Sequence, residues 1–214
     1  MSEITPTILS ETAEAYKAAV ERIQPFAHRV HIDISDGEFS PSFLVPEAQL
    51  YWPPEWQVDV HAMVARPSEH LAAIIALKPS LIIFHAEVEE DKIALINQIK
   101  AAGIKAGVAL LKTTVPSTIV DVIKAVDHVM IFSGDLGKNG GTASLMQLEK
   151  VRIIKALNPA VEIGWDGGVT IENAYTLSQG SVSVLNTGSA ISNADDPAAA
   201  YEALTKEINK HGVI

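Results

Sequence analysis

The 214-residue chain contains no cysteine, which excludes disulfides, thiolate zinc sites and cysteine nucleophiles. Any metal must therefore be held by histidine, aspartate or glutamate. No apolar run approaches the roughly 18 residues of a membrane-spanning helix. The start, Met1-Ser2-Glu3-Ile4-Thr5-Pro6, lacks the basic patch and apolar stretch of a secretory leader. Both absences predict a soluble, cytoplasmic protein with no membrane partner. Positive charge is scarce: 16 lysines and arginines face 26 aspartates and glutamates, a formal net charge of -10. Such a field repels phosphate backbones, so no nucleic-acid partner is expected and an anionic ligand needs local donors. Linkers and low-complexity segments are also missing, so residues 1–214 read as one domain. With 48% hydrophobic residues there is ample material for its core.

What is present is a rhythm. Short β-rich runs recur at Ile4–Leu9, Arg29–Asp33, Gln57–Met63, Leu81–His85, Lys105–Leu110, His128–Phe132, Glu162–Asp166 and Val182–Asn186. They lie roughly 20 to 35 residues apart, the size of a strand–helix unit. Helical patterns fill the gaps at Glu11–Gln24, Pro67–Leu77, Asp91–Ala102, Pro116–Ala125, Ser144–Leu157, Ile171–Gln179 and Pro197–His211. In the first, Ala15, Ala18, Ala19 and Ile23 share a face, and Ser10 or Thr12 is placed to cap it. Pro67 opens the second and Gly103 follows the third. Glu47–Leu50 is too short for a regular helix. Eight strands alternating with helices over about 210 residues predict a single α/β domain, a closed (β/α)₈ TIM barrel rather than an open sheet. Chemistry in such a barrel gathers where the C-terminal ends of the strands converge.

Several of those ends carry ionisable groups. Val30-His31-Ile32-Asp33-Ile34-Ser35-Asp36-Gly37 alternates, placing His31, Asp33 and Ser35 on one face and Val30, Ile32 and Ile34 on the other. The third strand offers Asp59, His61 and Met63 on one face, and the seventh ends in Asp166-Gly167-Gly168. His31, Asp33, His61 and Asp166 together supply two imidazoles and two carboxylates. That set suits one divalent ion, Zn²⁺, Fe²⁺, Mn²⁺ or Co²⁺. Glycine forms a second constellation. Gly137-Lys138-Asn139-Gly140-Gly141-Thr142 follows strand six, Gly167-Gly168 strand seven, and Gly188-Ser189 strand eight. Glycine lets backbone N–H groups approach an anion, in the region where barrels hold phosphate. His85 and Glu87 end strand four, either as partners behind the metal ligands or as an ordinary polar strand end. His28, His70, His128 and His211 read as surface or helix-border residues, Trp52 and Trp56 as packing or a lid edge, and Lys112 as a solvated lysine.

Pro6-Thr7-Ile8-Leu9-Ser10, His31-Ile32-Asp33-Ile34-Ser35-Asp36-Gly37, Asp59-Val60-His61-Ala62-Met63, Asp166-Gly167-Gly168-Val169 and Gly188-Ser189-Ala190-Ile191 resemble, in order and spacing, the signatures of the ribulose-phosphate 3-epimerase family. The resemblance implies a TIM barrel, a divalent metal, a phosphorylated ketose as partner and inversion at C3. It places metal ligands at His31, Asp33, His61 and Asp166, and the acid–base pair at Asp33 and Asp166. It places phosphate binding at Gly140, Gly141, Gly167, Gly168, Gly188 and Ser189. Thr7 stands where the family has serine and keeps a hydroxyl for the sugar. Assembly as a homo-oligomer is expected.

The chain departs from the family pattern around the substrate. Ser35 and Phe132 replace methionines, and with Met63 they are expected to line the pocket. Leu111-Lys112 replaces asparagine-proline after strand five. Leu136–Thr142 replaces a proline-glycine-phenylalanine-glycine-glycine-glutamine loop and is one residue longer. D-Ribulose 5-phosphate, converted to D-xylulose 5-phosphate through an enediolate, is the expected substrate. A six-carbon ketose phosphate of the allulose 6-phosphate type is the competitor within epimerases. A noncatalytic phosphosugar-binding homologue is the alternative outside them. Phosphosugar decarboxylases on similar barrels carry an Asp-x-Lys-x-x-Asp motif, whereas Asp33-Ile34-Ser35-Asp36 has no such lysine.

Overall fold

The computed structural model describes residues 2–138 and 140–210; Asn139 of the strand-six loop and His211 of the last helical pattern lie outside the described residues. Its strands are β1 (Glu3–Ile8), β2 (Arg29–Ser35), β3 (Gln57–Met63), β4 (Leu81–His85), β5 (Lys105–Leu110), β6 (His128–Phe132), β7 (Glu162–Asp166) and β8 (Val184–Thr187). They pair in parallel in sequence order, and β8 returns to pair with β1. Around them lie α1 (Ala13–Ile23), α2 (Pro67–Ala76), α3 (Lys92–Ala101), α4 (Val120–Ala125), α5 (Glu149–Leu157), α6 (Ile171–Gln179), α7 (Ser189–Ser192) and α8 (Pro197–Ile208). The architecture is a (β/α)₈ TIM barrel, as the alternation of patterns predicts.

Element ends shift for local reasons. Thr12 Oγ1 accepts the Ala15 N–H at 3.2 Å, and the Asp91 carboxylate accepts those of Ile93 and Ala94, so both residues are caps outside their helices. Asp196 caps α8 ahead of Pro197. The Pro116–Ala125 pattern breaks into a 3₁₀ turn, Pro116–Thr118, and α4, because Ile119 leaves helical backbone (φ -131°, ψ 39°). Ser144–Leu157 likewise divides into a 3₁₀ turn at Leu145–Leu148 and α5. Glu47–Gln49 forms one further 3₁₀ turn. Four-residue α7 has no counterpart among the helical patterns, being too short to show a period.

The pleat sorts side chains into two apolar regions. Outward-facing Val30, Ile32, Val60, Phe84, Ile131 and Trp165 join the helices in one continuous core. Inward-facing Leu81, Ile83, Ala109, Met130 and Phe132 form a smaller cluster inside the barrel. Below it, the N-terminal end is sealed by charge. The Arg29 guanidinium donates to Asp59 Oδ2 at 2.8 Å and to both Glu162 oxygens at 3.0 and 2.8 Å. His128 Nδ1 donates to Glu162 Oε2 at 2.8 Å.

His128 is therefore not a surface or helix-border residue; it is 1% exposed, its ring filling the space left by side-chain-free Gly164. Burial opposes ionisation of Glu162, but the hydrogen bonds from His128 and Arg29 outweigh it and hold the carboxyl well below its usual range.

Two consequences can be measured. Arg29→Met leaves Asp59 and Glu162 without their shared cation, and urea unfolding should show a loss of about 3–5 kcal/mol. Because the Glu162 carboxyl is depressed in the folded state, its stabilisation is complete above its unfolded value of about 4.3 and is lost as the pH falls below it. Glu162→Gln should accordingly flatten the acid limb of a Tm-against-pH profile.

Candidate metal centre and catalytic site

His31 and Asp33 project inward from β2, His61 from β3 and Asp166 from the last position of β7. The parallel register sets Asp33 beside His61. His61 Nδ1 lies 2.7 Å from Asp33 Oδ1 and 3.8 Å from Asp166 Oδ2, while His31 Nε2 lies 3.2 and 3.9 Å from the same two atoms. All four ligand atoms fall within 4.8 Å of one another. Four ligands about 2.0–2.2 Å from a central ion would be spaced at roughly 3.4 Å, and the observed separations bracket that value. Two imidazoles and two carboxylates also suit the divalent ions expected for this sequence. The residues fit a metal centre.

Electrostatics divides the two acids. Burial alone would raise the Asp33 carboxyl, but His31 and His61 outweigh it and hold it well below the usual carboxylate range. Burial and the nearby Asp33 charge push the Asp166 carboxyl up. For His31, burial opposes protonation while Asp33 favours it more strongly, so the imidazole is raised. Behind them, burial pushes His85 down to about 4, leaving it neutral.

Above the cluster lies a cavity to which Asp33 and Asp166 contribute while His31 and His61 stay beneath. Thr7, Met63, Phe132, Gly140, Gly167, Gly168, Gly188 and Ser189 also line it. Two glycines are required by the packing of neighbouring loops. Gly167 (φ +99°) lies against the Gly134 backbone and Gly168 (φ +71°) against Ala143, with no room at either for a Cβ. The Trp165 indole donates to Gly167 O at 3.0 Å and ties this turn to the strand. Asp36 anchors the β2 loop, accepting the Glu38, Phe39 and Ala65 N–H groups.

The model of the ribulose-phosphate 3 epimerase family matches residues 3–192. The chain belongs to that family. Ribulose-5-phosphate-3-epimerase, chloroplastic, of Arabidopsis thaliana is 32% identical over 94% of this chain and 75% of its own length. Ribulose-phosphate 3-epimerase of Helicobacter pylori is 29% identical over 94% of this chain and 96% of its own. Among solved structures, 3-keto-L-gulonate-6-phosphate decarboxylase from Vibrio cholerae aligns with a TM-score of 0.72 at 12% identity, covering 97% of each chain. 3-Hexulose-6-phosphate synthase from Salmonella typhimurium aligns with a TM-score of 0.72 at 13% identity, covering 96% and 98%. Those two similarities concern the fold alone.

Within this family member, two residues expected at the pocket stand apart from the cavity lining. Ser35 is buried, its Oγ accepting the Gly37 N–H at 3.5 Å where the chain bends away from β2. Gly141 faces the Gly134–Asp135 backbone instead. Lys112 lies outside the cavity, half-exposed and 3.7 Å from Asp135. Trp56 is buried and Trp52 packs against the core.

Conversely, Leu9, Gly134, Lys138, Val169 and Asn186 line the cavity without having been singled out. Asn186 had a readable signal, its position at the end of β8 in register with Asp166. Thr7 Oγ1, His31 Nδ1 and Asn186 Oδ1 are buried without a partner among the described residues, as groups awaiting a ligand or water would be. Among the described residues no helix is long and apolar enough to cross a membrane.

Asp166→Asn removes the carboxylate that Asp33 repels. The ion-free variant should melt about 2–4 °C above the ion-free wild type, whereas added zinc should raise the wild-type Tm more than that of the variant; calorimetry with and without zinc checks both.

Proposed function

We propose that this protein inverts C3 of a ketose phosphate, taking D-ribulose 5-phosphate to D-xylulose 5-phosphate. The observation that carries the reading is the pair of buried carboxylates, Asp33 and Asp166, facing one cavity above two imidazoles. Epimerisation beside a ketone needs a base on one face of C3 and an acid on the other. Asp33, ionised, takes the C3 proton, and an enediolate forms. Asp166 returns a proton to the opposite face. In the reverse direction the two exchange roles, which the mixed His and Asp surroundings of each permit.

A divalent ion held by His31, Asp33, His61 and Asp166 would supply Lewis acidity for the negative charge that develops on the sugar oxygens. Thr7 Oγ1 offers its hydroxyl to the sugar. Gly140, Gly167, Gly168, Gly188 and Ser189 are the proposed phosphate end, where backbone N–H groups replace the cations that an acidic chain lacks; Gly141 lies off it. The pentose reading is favoured over a six-carbon substrate because the similar curated proteins are ribulose-phosphate 3-epimerases and because Ser35, one of the departures around the substrate, has its Oγ against the Gly37 N–H and lies off the cavity. Two opposed acids have no use in a binding module. Both the protein's place in the cytoplasm and its assembly as a homo-oligomer remain part of this proposal.

Incubation with ribulose 5-phosphate in D₂O should place deuterium at C3, read by NMR. Asp33→Asn and Asp166→Asn should each lower kcat by about 10²–10⁴-fold with the circular dichroism spectrum unchanged. Near-normal turnover in either purified variant overturns the two-acid scheme.

A further inference from the structure

The edge of His61 turned away from the cavity meets a second imidazole. His61 Nε2 lies 2.8 Å from His85 Nε2, and His85 Nδ1 lies 3.3 Å from Glu87 Oε2. The His85 ring is fully buried, with the Phe39 ring centroid 4.6 Å and that of Phe132 5.8 Å from its own. Glu87 is pinned in turn: its other oxygen, Oε1, accepts the Leu111 N–H at 3.0 Å and the Thr114 hydroxyl. The row His61–His85–Glu87 is thus fixed at both ends.

Its protons can be placed from the far end inward. An ionised carboxylate only accepts, so the hydrogen facing Glu87 belongs to His85 Nδ1. A neutral imidazole has one donor and one acceptor, which leaves a lone pair on His85 Nε2. The hydrogen between the two rings then belongs to His61 Nε2. In the ion-loaded centre His61 Nδ1 by the same rule carries a lone pair, and that atom is the one beside Asp33 and Asp166; without an ion the Asp33 carboxylate 2.7 Å away draws a hydrogen onto Nδ1, which an incoming ion must displace. We propose that Glu87 and His85 are positioning residues that hold His61 in its metal-ready tautomer and so set the affinity of the four-residue centre for a divalent ion. The proposal rests on the metal-binding reading of that centre. Partners of this kind orient a ligating imidazole and raise its basicity, and their loss costs about 10–100-fold in metal affinity.

Glu87→Gln tests the polarity of the row with almost no change of shape. The Leu111 and Thr114 donors keep the amide oxygen at the Oε1 position, so the new NH₂ group faces His85 Nδ1. Both tautomers then reverse, and the His61 proton is driven onto Nδ1, where an ion must displace it. Zinc affinity, measured by competition with a chromophoric chelator, should fall about 10–100-fold. Glu89→Gln, which removes an exposed acid outside the row, should keep the wild-type affinity.

Long-range ¹H–¹⁵N spectra of zinc-loaded wild type should place protons on His61 Nε2 and His85 Nδ1. Wild-type affinity in Glu87→Gln, or a wild-type His85 protonated on Nε2, overturns the relay while leaving the metal centre standing. Wild type that takes up no zinc removes the metal reading and the relay with it. If Glu87→Gln does not fold, the wild-type spectrum decides.

Discussion

Because β8 pairs back onto β1, each strand of this sheet has two neighbours and the ladder has no open edge. Closure turns the period-2 pleat into a sorting rule: one set of side chains enters the helix-packed shell and the other enters the barrel. His31 and Asp33 are separated by Ile32, which belongs to the shell, and that alternation aims both polar groups inward. Asp166 reaches them from β7 because it ends a strand at the same rim. His31, Asp33 and His61 already meet on the paired strands β2 and β3, and it is closure that brings Asp166 on β7 to them.

The barrel axis carries an electrostatic division. At its N-terminal end Arg29 satisfies Asp59 and Glu162, so buried acid is neutralised by a resident cation. At its C-terminal end Asp33 and Asp166 face each other with only imidazoles between them. The first arrangement serves stability. The second leaves proton affinities divergent and polar atoms unpartnered, the condition expected of a functional site held in place by a rigid scaffold. The loops above it are interlocked where Gly167 meets Gly134 and Gly168 meets Ala143, so part of the glycine signal reflects backbone packing as well as room for an anion.

Much of this was legible along the chain. Strands announce themselves through short β-branched runs, and Pro67 and Gly103 mark helix boundaries as expected. The misplacements have identifiable causes. Asp91 belongs outside its helix because its side chain bonds the first turn, a choice hydrophobic periodicity does not register, whereas Thr12 caps α1 as expected. His128 looks like a border residue in sequence, yet its position facing Gly164 on β7 makes it interior. Ser35 shares the parity of Asp33 and pairs with Met63, but its short side chain sits against the Gly37 N–H and the residue stays off the cavity lining.

The sequence by itself determined the alternation of elements, the donor types, the absence of thiolates and the need for backbone donors around an anion, because these depend on residue identity and near-neighbour spacing. Only the tertiary structure decided which nitrogen of each histidine faces the cluster, that the two acids differ in proton affinity, and that His85 and Glu87 stand in line behind His61. Those properties depend on distances between strands and on the exclusion of water, neither of which exists until the barrel closes.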